Sequence, residues 1–273
     1  MFTNLETYQS RFWLKEEFLK KIGKSSSGFL LELFSRVDAL VDQDLVYYDH
    51  QMDMETCFEK YSFHEFKWHQ TPNGDMEWIF MLNRQGYLVD LAVAFYITKE
   101  EKYLKKWKEI VFDFILENEK EISHPEASWR VLDAGIRLMN WVKSLTYLPL
   151  SKFSEVERKQ IQEAMSLHVN YIRTHLQEKH LLSNWGVLAV SGVLSFVYFF
   201  DEQPELYLWA KETLLKQASL QFTKTGLHWE QSPLYHHQVV MCFAYLFQIA
   251  CYMGDEDQHI WKEVLIEPIR ASY

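Results

Sequence analysis

The chain has 273 residues, of which 48% are apolar and 16% aromatic, whereas glycine (9) and proline (6) are scarce. This composition excludes a turn-rich all-β fold and favours long helices. The formal net charge of −10, from 38 acidic and 28 basic residues, disfavours non-specific nucleic-acid binding, which needs a basic surface. An anionic ligand would have to be attracted by a few placed residues.

The N-terminus lacks a basic start followed by an apolar run, and no segment is long enough to span a membrane. The apolar stretch Val187–Phe200 is too short to cross a bilayer and predicts a buried helix. We therefore expect a cytoplasmic protein, or a periplasmic or secreted one if a leader has been removed. The cysteines, Cys57, Cys242 and Cys251, form no CxxC pair, so we expect buried reduced thiols and no metal site.

In chain order, residues 1–75 lead into a region of paired helices, residues 76–273, and we expect one continuous domain. The leading region predicts two amphipathic helices and a mixed aromatic segment of loop and short helical turns, at Leu5–Ile22, Gly28–Val41 and Val46–Asn73. The second region predicts four helical hairpins: Met76–Ile97 with Glu100–Asn118, Ser128–Tyr147 with Glu155–Leu176, Leu182–Phe200 with Pro204–Phe222, and Ser232–Met253 with Gln258–Arg270.

Capping boxes predict two of the helix starts, one from Thr98 with Glu101 and one from Ser154 with Glu157. The first helix of each hairpin is apolar nearly all round, whereas its partner is amphipathic. Buried inner helices alternating with amphipathic outer ones are typical of a toroid. The predicted fold class is therefore all-α, an incomplete (α/α) toroid of helical hairpins. Since a toroid closes with more hairpins than these, we expect a fragment of a longer protein.

A weak repeat accompanies the hairpins. Trp78, Trp129, Asn184–Trp185 and Tyr235 each lie near the start of an inner helix, about 50 residues apart. Because a toroid collects one end of every inner helix around a single mouth, we expect these positions to converge.

The most informative segment is Gly226–His237, with the sequence GLHWEQSPLYHH. Ser232–Pro233 predicts a capped helix start, which places Tyr235 and His236 in the first helical turn. A helix N-terminus favours anions, and a phenol with an imidazole on its rim can transfer protons. His237 points about 100° away from its neighbour, so the two histidines are a poor metal pair, and we expect His237 at the surface.

Four segments together resemble the N-terminal toroid domain of the heparinase II/III-type polysaccharide lyases, which include heparin-sulfate lyases and related alginate lyases. In order these are EWIFMLNR at Glu77–Arg84, SWRVLDAGIR at Ser128–Arg137, SNWG at Ser183–Gly186, and WEQSPLYH at Trp229–His236. The resemblance covers residues 65–240. It implies a lyase that cuts a uronic-acid-containing glycan, heparan sulfate-like, hyaluronan-like or alginate-like, by β-elimination.

That reaction requires a group that neutralises the uronate carboxylate, a base for the neighbouring proton, and an acid for the leaving oxygen. The resemblance implies Asn184 for the first role and Tyr235 for proton transfer, with no metal and no organic cofactor. A free phenol, with a pKa near ~10, serves as an acid unaided but needs nearby positive charge to serve as a base. The competing interpretations are a helix-capping Asn184 and a Tyr235 that merely packs at a helix start.

The other residues assigned to substrate binding are His236, Trp185, Glu230, Arg84, Arg130, Arg137 and Trp129. His236 would contact the substrate or orient the tyrosine, and Lys67 is a further cationic candidate. For Arg137 the alternative is a salt bridge with Asp133 or Glu77, because a buried arginine is usually paired. Trp185 stands where the family often has histidine, and its ring can stack on a sugar but cannot shuttle protons.

The family carries a β-sandwich domain after the toroid, which closes over the cleft and often supplies a histidine base. The resemblance therefore implies that this fragment lacks a C-terminal β-sandwich and by itself binds its anionic polysaccharide or oligosaccharide weakly. A glycoside hydrolase on the same toroid is one alternative, with candidate carboxylates at Asp75, Glu77, Asp133 and Glu230. A non-catalytic glycan-binding domain is another, and the fold alone does not separate these functions.

Overall fold

The computed structural model describes residues 3–11, 28–48, 59–63, 68–118, 122, 124–200 and 203–272. Most of these lie in thirteen α-helices. The helices are α1 (Thr3–Arg11), α2 (Gly28–Gln43), α3 (Met76–Arg84), α4 (Tyr87–Thr98), α5 (Glu101–Glu117), α6 (Pro125–Ser128), α7 (Val131–Tyr147), α8 (Glu155–His175), α9 (Glu178–Leu181), α10 (Asn184–Phe200), α11 (Pro204–Gln221), α12 (Pro233–Met253) and α13 (Gln258–Ala271). No helix among the described residues combines the length and the apolarity needed to cross a bilayer.

The chain divides into two compact units. The first comprises Met1–Arg11, Ala134–Met139 and Met165–Tyr273, and the second comprises Phe12–Asp133 and Asn140–Ala164. The second unit contains a two-stranded antiparallel sheet of β1 (Leu45–Val46) and β2 (Tyr61–Ser62).

The core of the first unit is built on α10, whose residues Gly186–Phe200 are all buried. Helices α11 and α12 pack against it, α13 packs against α12, and α1 adds the ring of Tyr8 edge-on to Phe199 with ring centroids 5.0 Å apart. A methyl group built on Gly135 would lie 2.2 Å from the Cα of Ala189. Two helix backbones therefore cross here at a distance that leaves no room for a side chain.

The second unit pairs α4 with α5 and packs both against α2. The guanidinium of Arg36 on α2 donates to the Asp90 carboxylate on α4 at 2.9 Å, and both side chains are almost fully buried. The indole N–H of Trp107 donates to the Ser144 hydroxyl at 3.0 Å. A buried polar group without a partner is costly, so these bonds allow the polar groups to lie within an apolar core.

Several predicted elements are confirmed. Gly28–Val41 lies within α2, and the predicted hairpin Leu182–Phe200 with Pro204–Phe222 corresponds closely to α10 and α11. The predicted capping box at the start of α8 is present, since the Ser154 N–H donates to the Glu157 carboxylate at 2.7 Å and the Glu157 N–H to the Ser154 hydroxyl at 3.2 Å.

Other predicted boundaries are wrong. The single helix Met76–Ile97 is broken at Gln85, whose φ of 54° places it in the left-handed region between α3 and α4. The capping box of Thr98 with Glu101 does not form, because Glu100 is the N-cap residue and its own N–H donates to the Thr98 hydroxyl at 3.1 Å. The helix predicted from Ser128 starts at Val131, after the separate short helix α6.

The expectation of buried thiols holds for Cys242 but is wrong for Cys251, which is exposed. Strand β1 overlaps the start of the segment Val46–Asn73, and β2 lies within it, although only loop and helical turns are predicted there. Part of that segment, the second half of the predicted helix Leu5–Ile22, Lys67 and Cys57 lie outside the described residues.

Candidate functional site

The first turn of α12 is built as its sequence predicts. The Ser232 hydroxyl accepts the N–H of Tyr235 at 3.3 Å, and Pro233 occupies the first helical position. Gln231, with a φ of 54°, turns the chain immediately before this start. Tyr235 is half-buried, and its hydroxyl has no hydrogen-bond partner among the described residues. Its phenol is therefore available to a ligand.

Asn184 is the first residue of α10 and is buried at the edge of the same site. Its backbone N–H donates to the Glu230 carboxylate at 3.3 Å, and its side-chain amide donates to the Gln238 side-chain carbonyl at 3.1 Å. The side chain thus reaches another helix and does not serve as a cap for its own.

Gln238 connects Asn184 to the predicted tyrosine. It follows Tyr235 by three positions on α12, and helix positions three apart are neighbours on one face, about 5–6 Å between Cβ atoms. The amide that contacts Gln238 therefore lies roughly one helical turn from Tyr235. Asn184 and Tyr235 therefore both neighbour Gln238 within the first unit.

A buried histidine, His228, holds the backbone of Glu230, which in turn contacts Asn184. The His228 side chain is fully buried, its Nδ1 accepts the N–H of Glu230 at 3.4 Å, and its Nε2 lies 2.9 Å from the Gln221 carbonyl oxygen. Burial is the main cause that lowers the pKa of His228 to about 4, and the neighbouring His236 contributes to the same shift. The ring is therefore neutral at pH 7, with its proton on Nε2.

The backbone carbonyls just before Asn184 accept hydrogen bonds from the side chains of Gln221 and Trp229. The Gln221 side-chain amide donates to the carbonyls of Leu181 and Ser183 at 2.8 and 3.0 Å. The indole N–H of Trp229 donates to the carbonyl of Leu182 at 2.7 Å. Four hydrogen bonds, counting the one to Glu230, thus hold the turn before α10 against residues 221–230.

His236 is hydrogen-bonded to groups of the protein itself. It is buried, its Nδ1 accepts the His228 N–H at 3.3 Å, and its Nε2 lies 3.1 Å from the Pro268 carbonyl and 3.0 Å from the Ser272 hydroxyl. Both ring nitrogens are therefore hydrogen-bonded within the protein, Nε2 at the end of α13. His237 is exposed, as predicted.

Two tryptophans are exposed near Asn184. Trp185 exposes 37% of its surface and Trp229 exposes 48%, so both offer a flat apolar face to a sugar. Trp229 is absent from the sequence-based site residues, although it begins the WEQSPLYH segment. Trp129, which was assigned to substrate binding, is completely buried, and its indole N–H donates to Asn118 at 2.7 Å. Its ring cannot stack on a sugar in this structure.

Arg84 and Arg130, in the second unit, are held by one carboxylate. The fully buried Asp133 accepts from Nε of Arg84 at 2.8 Å and from Nε of Arg130 at 2.5 Å. Glu77 lies 3.9 Å from Arg84, so two carboxylates face two guanidinium groups. This charge balance favours a structural role over capture of an anionic substrate.

Arg137 is also a core group. It is completely buried in the first unit, and its Nε donates to Nε2 of His168 at 2.7 Å. The partner shown here is therefore a histidine on α8, whereas the salt bridge considered from sequence was with Asp133 or Glu77. Because this guanidinium is completely buried, it does not contact a ligand.

A cavity of about 590 Å³ lies beside the first turn of α12, lined in part by Trp229, Pro233, His236, His237 and Ser272. Tyr235 and Asn184 are not among its lining residues. On a helix, Pro233 and His237 share a face that is separate from the one carrying Tyr235 and Gln238. The cavity is therefore next to the residues around Asn184 and Tyr235, with Trp229 lying at both.

The family model for the heparinase II/III N-terminus matches residues 31–262 of the chain. No curated protein matches the chain.

Solved structures resemble the chain over most of its length. Heparan sulfate lyase HepC from Pedobacter heparinus matches with a TM-score of 0.71 and 19% identity, covering 98% of this chain and 42% of that one. A heparinase III matches with a TM-score of 0.68 and 18% identity, covering 98% of this chain and 41% of that one. The chain therefore spans about two fifths of the length of these proteins. At such identities the likeness concerns the fold, and it confirms the predicted class, an all-α toroid of helical hairpins.

Proposed function

The chain belongs to the heparinase II/III N-terminus family, and from that membership we propose that it is the helical part of a polysaccharide lyase. The proposed reaction is the cleavage of a uronic-acid-containing glycan by β-elimination. Heparan sulfate is the first substrate to test, because the similar solved structure from Pedobacter heparinus is a heparan sulfate lyase.

One observation carries the proposal. The Asn184 amide donates to Gln238 at 3.1 Å, one helical turn from the half-buried phenol of Tyr235, which has no hydrogen-bond partner among the described residues. A hydrogen-bond donor and a phenol thus both neighbour Gln238, which supports the proposal. A uronate ring presents an acidic C–H bond beside its carboxylate and therefore needs both kinds of group.

The elimination can be written with these two residues and a base that accepts the C5 proton. An N–H of Asn184 donates to the uronate carboxylate and stabilises the negative charge that develops when the proton on the adjacent ring carbon, C5, is removed. The C5–H electron pair forms the C4–C5 double bond, and the C4–O bond of the glycosidic linkage breaks. Tyr235 protonates the leaving oxygen. No water is consumed, and the product carries a conjugated double bond.

The proposal also includes a partner domain that completes the cleft. Its support is the length of the similar solved structures, of which this chain covers 42% and 41%. A β-sandwich supplying the base for the C5 proton is the expected partner, and Tyr235 then serves as the acid.

The carboxylates favour a lyase over a glycoside hydrolase. A hydrolase needs two carboxyl groups that flank the scissile bond. Asp133 is completely buried between two arginines, and Asp75 caps α3 by accepting the Glu77 N–H at 3.0 Å. Glu230 accepts the Asn184 backbone N–H. Three of the four predicted carboxylates thus accept hydrogen bonds from groups within the protein.

The test uses the longest polypeptide that the gene encodes, incubated separately with heparan sulfate, hyaluronan and alginate. A lyase produces ultraviolet absorbance from the conjugated double bond together with new chain ends. Tyr235→Phe should abolish this signal, whereas His237→Gln, a change of an exposed neighbour, should leave it intact. Reducing ends without ultraviolet absorbance would indicate a hydrolase, and binding of a glycan without any product would indicate a non-catalytic domain.

A further inference from the structure

The side chain of Asn184 is oriented by a residue to which the sequence assigns no role. One amide N–H of Asn184 is used by the Gln238 carbonyl at 3.1 Å. The other N–H has no hydrogen-bond partner among the described residues. Because a carboxamide is planar, fixing one of its two N–H bonds also fixes the direction of the other.

The backbone of Asn184 is fixed as well. Its N–H donates to the Glu230 carboxylate at 3.3 Å, and the Glu230 N–H in turn donates to the buried ring of His228 at 3.4 Å. With the backbone held by this hydrogen bond, only the side-chain rotamer of Asn184 is left to vary. The hydrogen bond to Gln238 fixes that rotamer.

We propose that Gln238 is a positioning residue, which aims the second N–H of Asn184 at the substrate carboxylate beside Tyr235. This inference rests on the proposed function. Gln238 is half-buried and lies on the same face of α12 as Tyr235, so the amide that it holds faces the ring from which a proton is removed. A misplacement of about 1 Å in such a group can cost a factor of about 100 in rate.

Two substitutions separate the parts of this role. Gln238→Met keeps the length of the side chain and removes the acceptor, so kcat should fall about 10-fold to 100-fold with KM nearly unchanged. Gln238→Glu keeps an acceptor for the Asn184 amide but adds a negative charge beside an anionic substrate. Here we expect kcat to be largely retained and KM to rise. His237→Gln is the matched control and should change neither parameter.

A readout that does not depend on turnover accompanies the kinetics. In the ¹⁵N-labelled chain, the side-chain amide signals of Asn184, assigned with Asn184→Asp, should show one N–H protected from exchange with solvent. Gln238→Met should remove this protection, and Gln238→Glu should preserve it. Protection that survives Gln238→Met overturns the proposal, and so does a Gln238→Met enzyme with unchanged kcat.

Failure of the proposed function gives a different result. If the wild-type protein cuts none of the three glycans while the amide protection depends on Gln238, the contact is established and its catalytic use is refuted. If Gln238→Met does not fold, as judged by circular dichroism, the Gln238→Glu variant decides. An unchanged KM together with lost amide protection in that variant would contradict the proposal.

Discussion

Replacing Gly186 by alanine tests how tightly the turn that carries Asn184 is built. A methyl group on Gly186 would lie 2.0 Å from the carbonyl oxygen of His180 and 2.3 Å from Nε2 of Gln217. Both distances are well inside van der Waals contact. The Gln217 side chain is buried, and the His180 oxygen belongs to the backbone of α9, so neither can move without shifting an element of the structure.

Two opposing effects set the magnitude for Gly186→Ala. Alanine stabilises a helix interior by about 1 kcal/mol relative to glycine, whereas overpacking a filled core costs about 1–3 kcal/mol or more. Since the clash is with backbone, we expect a cost in the upper part of this range, about 2–3 kcal/mol, and hence a net loss of about 1–2 kcal/mol in the free energy of unfolding. This corresponds to a fall of a few degrees in Tm.

The assay is urea unfolding followed by circular dichroism, with Gly28→Ala as the control. A methyl group on Gly28 would meet nothing within 4 Å, so this variant should be as stable as the wild type or slightly more stable. A Gly186→Ala protein that unfolds at the same or a higher urea concentration than wild type would refute the close approach of α9 to the start of α10.

Three further predictions concern charged and reactive groups. His228 has a folded-state pKa of about 4 against about 6.5 when unfolded, so the unfolded chain alone gains a proton as the pH falls from 6.5 to 4. Stability should fall across that window by up to about 3 kcal/mol, and the unfolding curves of His228→Gln should lack this component. Asp133→Asn leaves two guanidinium groups without their shared carboxylate and should cost about 2–3 kcal/mol in urea unfolding, a value reduced for their partial exposure. Cys251 should react with a thiol reagent in the native protein, and Cys242 only after unfolding, as peptide mapping will show.

Each of these predictions has a contrary outcome. An identical pH dependence of stability in wild type and His228→Gln would mean that the buried ring is not held neutral. A loss below about 0.5 kcal/mol for Asp133→Asn, the range of ordinary surface changes, would show that the two arginines do not depend on this carboxylate. Native labelling of Cys242 at the rate of Cys251 would contradict the packing of α12.

The parts of the site that depend on local chain geometry were predictable. Ser232 and the proline after it specify a helix start, because a hydroxyl cap and a fixed φ act on the next three residues. This prediction placed Tyr235 in the first turn, as found. The capping box of Ser154 with Glu157 was predictable for the same reason.

The parts that depend on contacts between distant residues were not predictable in this way. The sequence indicates that His236 lies in the first helical turn, and on that ground it is predicted to contact the substrate or orient the tyrosine. Its neighbours are set instead by the packing of α13, because Pro268 and Ser272 follow it by 32 and 36 positions. Gln238 gave no signal, since its importance comes from a residue 54 positions earlier. The break at Gln85 was missed because a residue other than glycine seldom adopts a positive φ.

The assignment of Asn184 and Tyr235 to substrate binding and proton transfer is tested most directly by a structure of the Tyr235→Phe protein with a uronate oligosaccharide bound. We expect the carboxylate of one uronate to accept a hydrogen bond from the Asn184 amide, with the ring carbon beside it facing residue 235. Gln238 should still accept the other amide N–H. An oligosaccharide seated only in the cavity beside Pro233 and Ser272, with its carboxylates away from Asn184, would refute this assignment.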